Sequence, residues 1–283
     1  MLTYLSDDTF EAFLNQISDN DSIDLSNVSF IDPYGMVGVL EAGRYLESTN
    51  AEKNLILPSS ENVLRYLERM DFFKYVEQYF NLIPDKRQLS EKYLRSHYTD
   101  VLLEITPIKK SDDIHFIVDK VKKRAHAILH KHLHYNEKAI NGFIVSLSEI
   151  CQNIVEHSEH TGFVGIQKYR FQKLDRNVVK IAVMDLGIGF RSSLSQRVPM
   201  TNDLSAIEDA LLHGISRHED KGRGHGLKGV KRFVRQWNGK ISIRSGTARY
   251  SIIPDWGWGR ERERNLVFFP GSQINILLPE VVS

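Results

Sequence analysis

Between Asn141 and Ser158 the apolar residues Phe143, Leu147, Ile150, Cys151 and Ile154 recur at the helical period. A stripe of that kind has to be buried, so this helix needs a facing layer in order to fold. Material for such a layer comes directly after it: Val164–Phe171 and Val178–Met184 read as strands. Helices are expected over Ser205–Ile215 and over Leu227–Trp237, the second ending at Asn238-Gly239, a favourable C-cap. The last stretch is rich in strand signals, with KISIR, YSII, LVFF and INILL. Upstream of the patterned helix, VLLEI reads as a strand and a basic helix is expected from Asp112 to His134.

The first eighty residues have their own rhythm. SIDLS and VSFI are strand material, and helical spacing follows at Met36, Val39, Leu40, Gly43 and Leu46. NLIL is another short strand. Pro58-Ser59-Ser60-Glu61 then looks like a helix start, with Ser59 or Ser60 as cap and Val63, Leu64 and Leu67 as the buried stripe. Strands alternating with helices predict an α/β domain. The charged run PDKRQLSEKYLRSHYTD places a boundary near residue 90, dividing the chain into domains over 1–90 and 91–283.

Bulk properties exclude some classes. Lys and Arg number 37 against 36 Asp and Glu, so no global field draws the chain to nucleic acid or to a membrane surface. Cys151 is the one cysteine, which forbids an intrachain disulfide and suits a reducing compartment. MLTYLSDDTFEAF lacks the basic-then-apolar form of a secretory signal, and no apolar run is long enough to span a bilayer. A cytoplasmic location is therefore expected.

Three separated motifs carry chemistry. In SLSEICQNIVEHS, Glu149, Asn153 and His157 stand at i, i+4 and i+8, in one row beside the apolar stripe. A carboxylate there can orient or deprotonate a nucleophile, and an amide oxygen can ligate Mg²⁺. A solvated helix edge has the same pattern. Asp185-Leu-Gly-Ile-Gly189 comes after a strand, where a carboxylate can accept from an exocyclic amine while Gly187 and Gly189 let backbone approach a flat ligand. A tight strand-to-loop turn would also use these residues. Lys221-Gly222-Arg223-Gly224-His225-Gly226-Leu227 precedes a helix, so exposed N–H groups and two cations could hold phosphates. A glycine hinge is the alternative there. The spacing matches neither the Walker A nor the Rossmann pattern.

In this order the three motifs resemble the GHKL ATPase superfamily, whose members include Hsp90, DNA gyrase B, histidine kinases and anti-sigma serine kinases. Pro270-Gly271-Ser272-Gln-Ile-Asn-Ile-Leu-Leu-Pro279 resembles that superfamily's last glycine box and closing strand. The resemblance spans about residues 100 to 280. It implies an α/β sandwich with a mixed sheet covered by helices, and ATP and Mg²⁺ as ligands. Carried over, it makes Glu149 the general base and Asn153 the Mg²⁺ ligand. Asp185 would bind the adenine amine, Gly187 and Gly189 would line the base pocket, and Ser272 would help hold adenine. Lys221, Gly222, Arg223, Gly224, His225, Gly226 and Leu227 would wrap the phosphates, with Phe190–Lys221 as lid.

IDLSNVSFIDPYGMVGVLEAGRYL resembles a STAS domain, the fold of anti-sigma-factor antagonists, over about residues 1 to 80. In that family a serine after the strand accepts phosphate. Here the segment reads Asp32-Pro33-Tyr34-Gly35, with Tyr34 at the acceptor position. Together the two resemblances imply a regulatory protein, an anti-sigma-like serine/threonine kinase or ATPase. The alternative is a nucleotide-gated interaction switch with little or no phosphotransfer. A sensor histidine kinase ranks last, because no acceptor-histidine helix and no spanning segment are evident. The implied partner is a STAS-domain or sigma-factor-like regulator, and a homodimer is compatible.

Remaining features have structural readings. Lys228, Lys231, Arg232 and Arg235 suit a solvated helix face, and His126, His130, His132 and His134 a surface helix. WGWGRERER is an insertion between strands, either an interaction hot spot or packed on its own domain.

Overall fold

The computed structural model describes residues 2–19, 22–49, 51, 53–85, 100–158, 161–216 and 226–281. The N-terminal part contains β1 (Tyr4–Leu5), α1 (Phe10–Asp19), β2 (Ser22–Asp24), β3 (Phe30–Ile31), α2 (Pro33–Ser48), β4 (Asn54–Ile56), α3 (Glu61–Arg69), α4 (Phe73–Val76) and β5 (Asn81–Ile83). The rest contains β6 (Val101–Ile108), α5 (Ser111–Ala125), α6 (Lys131–Leu133), α7 (Glu137–Asn153), β7 (Gly162–Phe171) and β8 (Arg176–Asp185). Then come α8 (Gly189–Ser195), α9 (Asp203–Glu208), α10 (Gly226–Gln236), β9 (Lys240–Gly246), β10 (Ala248–Ile252), β11 (Arg262–Glu263) and β12 (Phe269–Pro279).

Seven strands form one sheet in the order β11-β10-β9-β12-β8-β7-β6. The fold class is the expected one, a sheet packed against helices. One detail differs: every neighbouring pair in this sheet is antiparallel, where a mixed sheet is expected. β8 and β9 do run parallel, but β12 inserts between them and pairs antiparallel with both.

Strand alternation divides the sheet's two faces. In β8, Val179, Ile181 and Val183 join a core with Phe143, Leu147 and Ile150 of α7 and with Val230 and Val234 of α10. Ala182 and Met184 point the other way, into a core with Phe10, Val37, Leu40 and Met70 from the N-terminal part. The sheet is thus sandwiched between a helical layer and the N-terminal unit. Within that unit β2, β4 and β5 form a small parallel sheet.

The second face is also charged. Lys180 lies between Asp7, at 2.9 Å, and Asp32, while Arg244 pairs with Glu11 at 2.7 Å. Burial alone would raise Asp7, but Lys180 and Lys240 hold its carboxyl below the usual range. Asp32 is pushed up by burial against the pull of Lys180. Asp32 also starts α2, because its side chain accepts from the Gly35 N–H at 2.9 Å and Pro33 occupies the first turn.

Several local expectations need correction. Ser60 is the N-cap of α3, but its side chain makes no capping bond. The basic helix ends its α-helical course at Ala125, and His126–His130 winds as a π turn. LVFF is not a strand apart from Phe269; Leu266 instead donates its N–H to Thr247 O at 2.9 Å, in a loop. α10 ends as expected, with Asn238 rather than Gly239 taking positive φ. The tryptophan insertion packs on its own chain: Trp258 stacks on Phe171 at 5.1 Å and donates to Asp8. Tyr34 is buried at 2 % exposure, edge-on to Phe10, rather than presented at the surface. Among the described residues, no helix is long and apolar enough to cross a membrane.

Lys180→Met strands two buried carboxylates without their shared cation. Its expected cost is about 3–5 kcal/mol, read as a lowered urea midpoint.

Candidate functional site

Helix α7 is started by Asn136, whose side chain accepts from the Ala139 N–H at 2.9 Å. Its apolar face is buried as the periodicity requires, Cys151 included. Glu149 and Asn153 sit half-buried at the border of that face, one turn apart. Asn153 is the last α-helical residue, and Ile154–Ser158 forms a π turn. The α-helical row therefore stops at Asn153; the side chain of His157 lies outside the described residues. A wider turn at this point re-aims the chain beyond the helix, as π turns often do at functional sites. Among the described residues, the buried Asn153 Nδ2 has no hydrogen-bond partner. An orphaned buried donor costs roughly 1–3 kcal/mol, so such a group calls for an occupant.

Asp185 closes β8. It lies in register with Gly162 of β7 on one side and Ser272 of β12 on the other. Two residues after Val183, it continues the face turned to the helices. Its carboxylate accepts from the Gly187 N–H at 2.7 Å and from the Ser272 hydroxyl. Both partners favour the ionised form, yet burial still raises its pKa above the ordinary value.

Two glycine turns interlock around this row. Gly189 has φ +72°, and a Cβ there would come within 2.8 Å of Ser245 Oγ. Gly271 has φ +75°, and a Cβ there would stand 2.0 Å from the Asp185 carbonyl oxygen. Ser245 Oγ donates to Gly271 O at 2.6 Å and accepts from the Phe190 N–H at 3.2 Å. Ser245 thus ties the turn after β8 to the irregular start of β12, between Phe269 and Ser272. Sequence reasoning missed it; the only signal is its place beside a glycine at the end of KISIRSG.

Of the remaining expected residues, Gly226 opens α10 with φ +45° and open space around its Cα. Leu227 is buried in the helical-layer core, so its side chain packs rather than lining a cleft. Lys221, Gly222, Arg223, Gly224 and His225 lie outside the described residues.

A contribution from the N-terminal part was not foreseen. Arg44 of α2 donates from Nη1 to Thr161 O at 2.9 Å and from Nη2 to Thr161 Oγ1 at 2.6 Å. It also pairs with Glu41 at 2.7 Å. Glu41 is fully buried, and its Oε1 has no hydrogen-bond partner among the described residues. Burial pushes its carboxyl up to about 8; Arg44 opposes the shift and Asp185 adds to it. No sequence pattern could reveal this, since residues 44 and 161 meet only in the tertiary fold.

These elements define the class. Residues 141–276 match the family described as Histidine kinase-, DNA gyrase B-, and HSP90-like ATPase, a little under half of the 283 residues. The chain therefore carries a GHKL ATPase domain over that stretch. Comparison with curated proteins gave no match.

Glu41 also yields a pH signature. The folded chain holds its proton more tightly than the unfolded chain, so its contribution to stability is complete below 4.5 and gone once the pH passes about 8. Glu41→Gln cannot ionise. Between those limits the wild type should lose stability relative to this variant as pH rises, seen as converging or crossing melting curves. Parallel curves would show that Glu41 does not titrate there.

Proposed function

We propose that the chain binds Mg²⁺-ATP between α7 and the Gly162–Asp185–Ser272 row, and uses it as a regulatory ATPase or anti-sigma-like serine/threonine kinase. One observation carries the reading. The buried Asp185 carboxylate is held by Gly187 and Ser272 at the rim of the sheet, within the stretch that matches the ATPase family.

The residues fit such a ligand. The Asp185 oxygens accept from the Gly187 N–H and from Ser272, and a carboxylate's roughly four acceptor sites leave capacity for the exocyclic amine of adenine. Gly189 and Gly271 let the chain close tightly around Ser245 and Asp185, which shapes the rim beside that carboxylate. The orphaned amide of Asn153 needs a partner, and turned by half a rotation it offers its oxygen to a hard cation. Magnesium, when bound, offsets phosphate charge. Glu149, one turn before Asn153, is placed to orient a water or hydroxyl as general base. The loop Lys221–Leu227 supplies backbone donors and cations for phosphates.

The partner is a STAS-domain or sigma-factor-like regulator acting in trans, and the N-terminal unit is the STAS-like part of this chain. The burial of Tyr34 favours the second reading, a nucleotide-gated switch. A hydroxyl inside the core is not available as an acceptor, so the N-terminal unit answers the nucleotide through contacts rather than through phosphate at that position.

Thermal shift and calorimetry with Mg²⁺-ATP, Mg²⁺-ADP and Mg²⁺ alone test binding. The wild type should be stabilised by nucleotide, Asn153→Ala should lose the Mg²⁺-dependent part, and Asp185→Asn should weaken ATP by about 1–3 kcal/mol. Glu149→Ala should keep binding and lose turnover by about 100-fold or more. A wild type that no nucleotide stabilises refutes the reading. Label passing from ATP to a STAS-domain protein supports the kinase; nucleotide-dependent partner binding without transfer supports the switch.

A further inference from the structure

The rim of the site is braced from outside the stretch that matches the ATPase family. Arg44 stands on α2, yet two of its nitrogens grip a single residue, Thr161, by backbone and side chain together. Thr161 directly precedes Gly162, the strand partner of Asp185. The chain has just left the π turn that comes after Asn153. A planar guanidinium held at both prongs fixes both position and orientation, which a lysine at the same place could not do. Nη1 also donates to Glu41 at 2.7 Å, and the ring of Phe163 has its centroid 5.9 Å from the guanidinium carbon.

We propose that Arg44 is a positioning residue for base selectivity: through Thr161 it holds Gly162 against Asp185, so the N-terminal unit sets the carboxylate that reads the exocyclic amine. The inference rests on the nucleotide reading given above. It deepens that reading, because discrimination of adenine then depends on a helix outside the ATPase stretch.

Electrostatics point the same way. Burial raises the proton affinity of Asp185, and the charge of Arg44 opposes that rise. Glu41, the carboxylate paired directly with Arg44, is itself pushed up to about 8. A carboxylate must be ionised to accept from an amine with both oxygens. A simple staple between two layers would need neither the two-pronged hold on Thr161 nor this arrangement of charge.

The test uses the full-length chain and two ligands, Mg²⁺-ATP and the Mg²⁺ complex of purine riboside triphosphate, which lacks the exocyclic amine. Calorimetry gives the ratio of their affinities. In Arg44→Ala the preference for ATP should shrink by about tenfold, while affinity for the amine-free ligand changes by less than about twofold. Equal weakening of both ligands, or an unchanged ratio, overturns the inference and assigns Arg44 to general support of the fold. If Arg44→Ala does not unfold cooperatively, Thr161→Val replaces it. That variant removes the hydroxyl acceptor and should shift the ratio in the same direction, by about threefold; no shift overturns the inference. A wild type that binds neither ligand overturns the nucleotide reading itself. A wild type that prefers ATP, with the preference unmoved in both variants, overturns only the role of Arg44.

Discussion

Strand β8 is paired along both edges and covered on both faces, and nearly every other feature depends on how its ten residues meet four neighbours. Its odd-numbered apolar residues anchor the helical layer that includes α7. Its even-numbered residues face the N-terminal unit, two as apolar contacts and one, Lys180, as the cation shared by Asp7 and Asp32. A shift of one residue would turn Lys180 into the helical core and Val179 toward two carboxylates. The register is therefore held from both sides at once. That register delivers Asp185 to the rim on the helical side.

The rim combines tight backbone with polar groups that the chain does not fully satisfy. Gly189 and Gly271 adopt conformations that other residues resist, and Ser245 clasps the two turns together. Asp185 is buried at a cost that its two donors only partly offset. Asn153 keeps a buried N–H without a partner among the described residues. A protein interior rarely tolerates such groups unless they have work to do. They lie on the elements expected from the motifs, within a domain whose family binds ATP.

The N-terminal unit is more than an appendage to this domain. It buries one face of the sheet through apolar packing and through ion pairs that are costly to separate. One helix, α2, carries both Asp32 at its start and Arg44 in its fourth turn. It therefore spans from the Asp32-Pro33-Tyr34-Gly35 segment to the edge of the site. A rigid element that touches both places is a physical route for coupling them, of the kind a two-state switch needs.

Most of the secondary structure could be read from the chain because it rests on short-range patterns. The 3.6-residue stripe of α7, the alternation in β8 and the glycines at 189 and 271 are local; Glu149, Asn153 and Asp185 were singled out by spacing and order, and Ser272 by the family resemblance. LVFF misled because apolar composition resembles a strand whether or not an edge is available to pair with it. The α-helical course of α7 stops at Asn153 because a single π turn changes the period without any local mark in sequence. Only the tertiary structure could decide that β12 slots between β8 and β9, that Ser245 ties the turn after β8 to the start of β12, that Tyr34 is buried and that Arg44 grips Thr161. Each of these depends on residues distant in sequence meeting across layers, and pairing of that kind is set by global packing rather than by any local run of side chains.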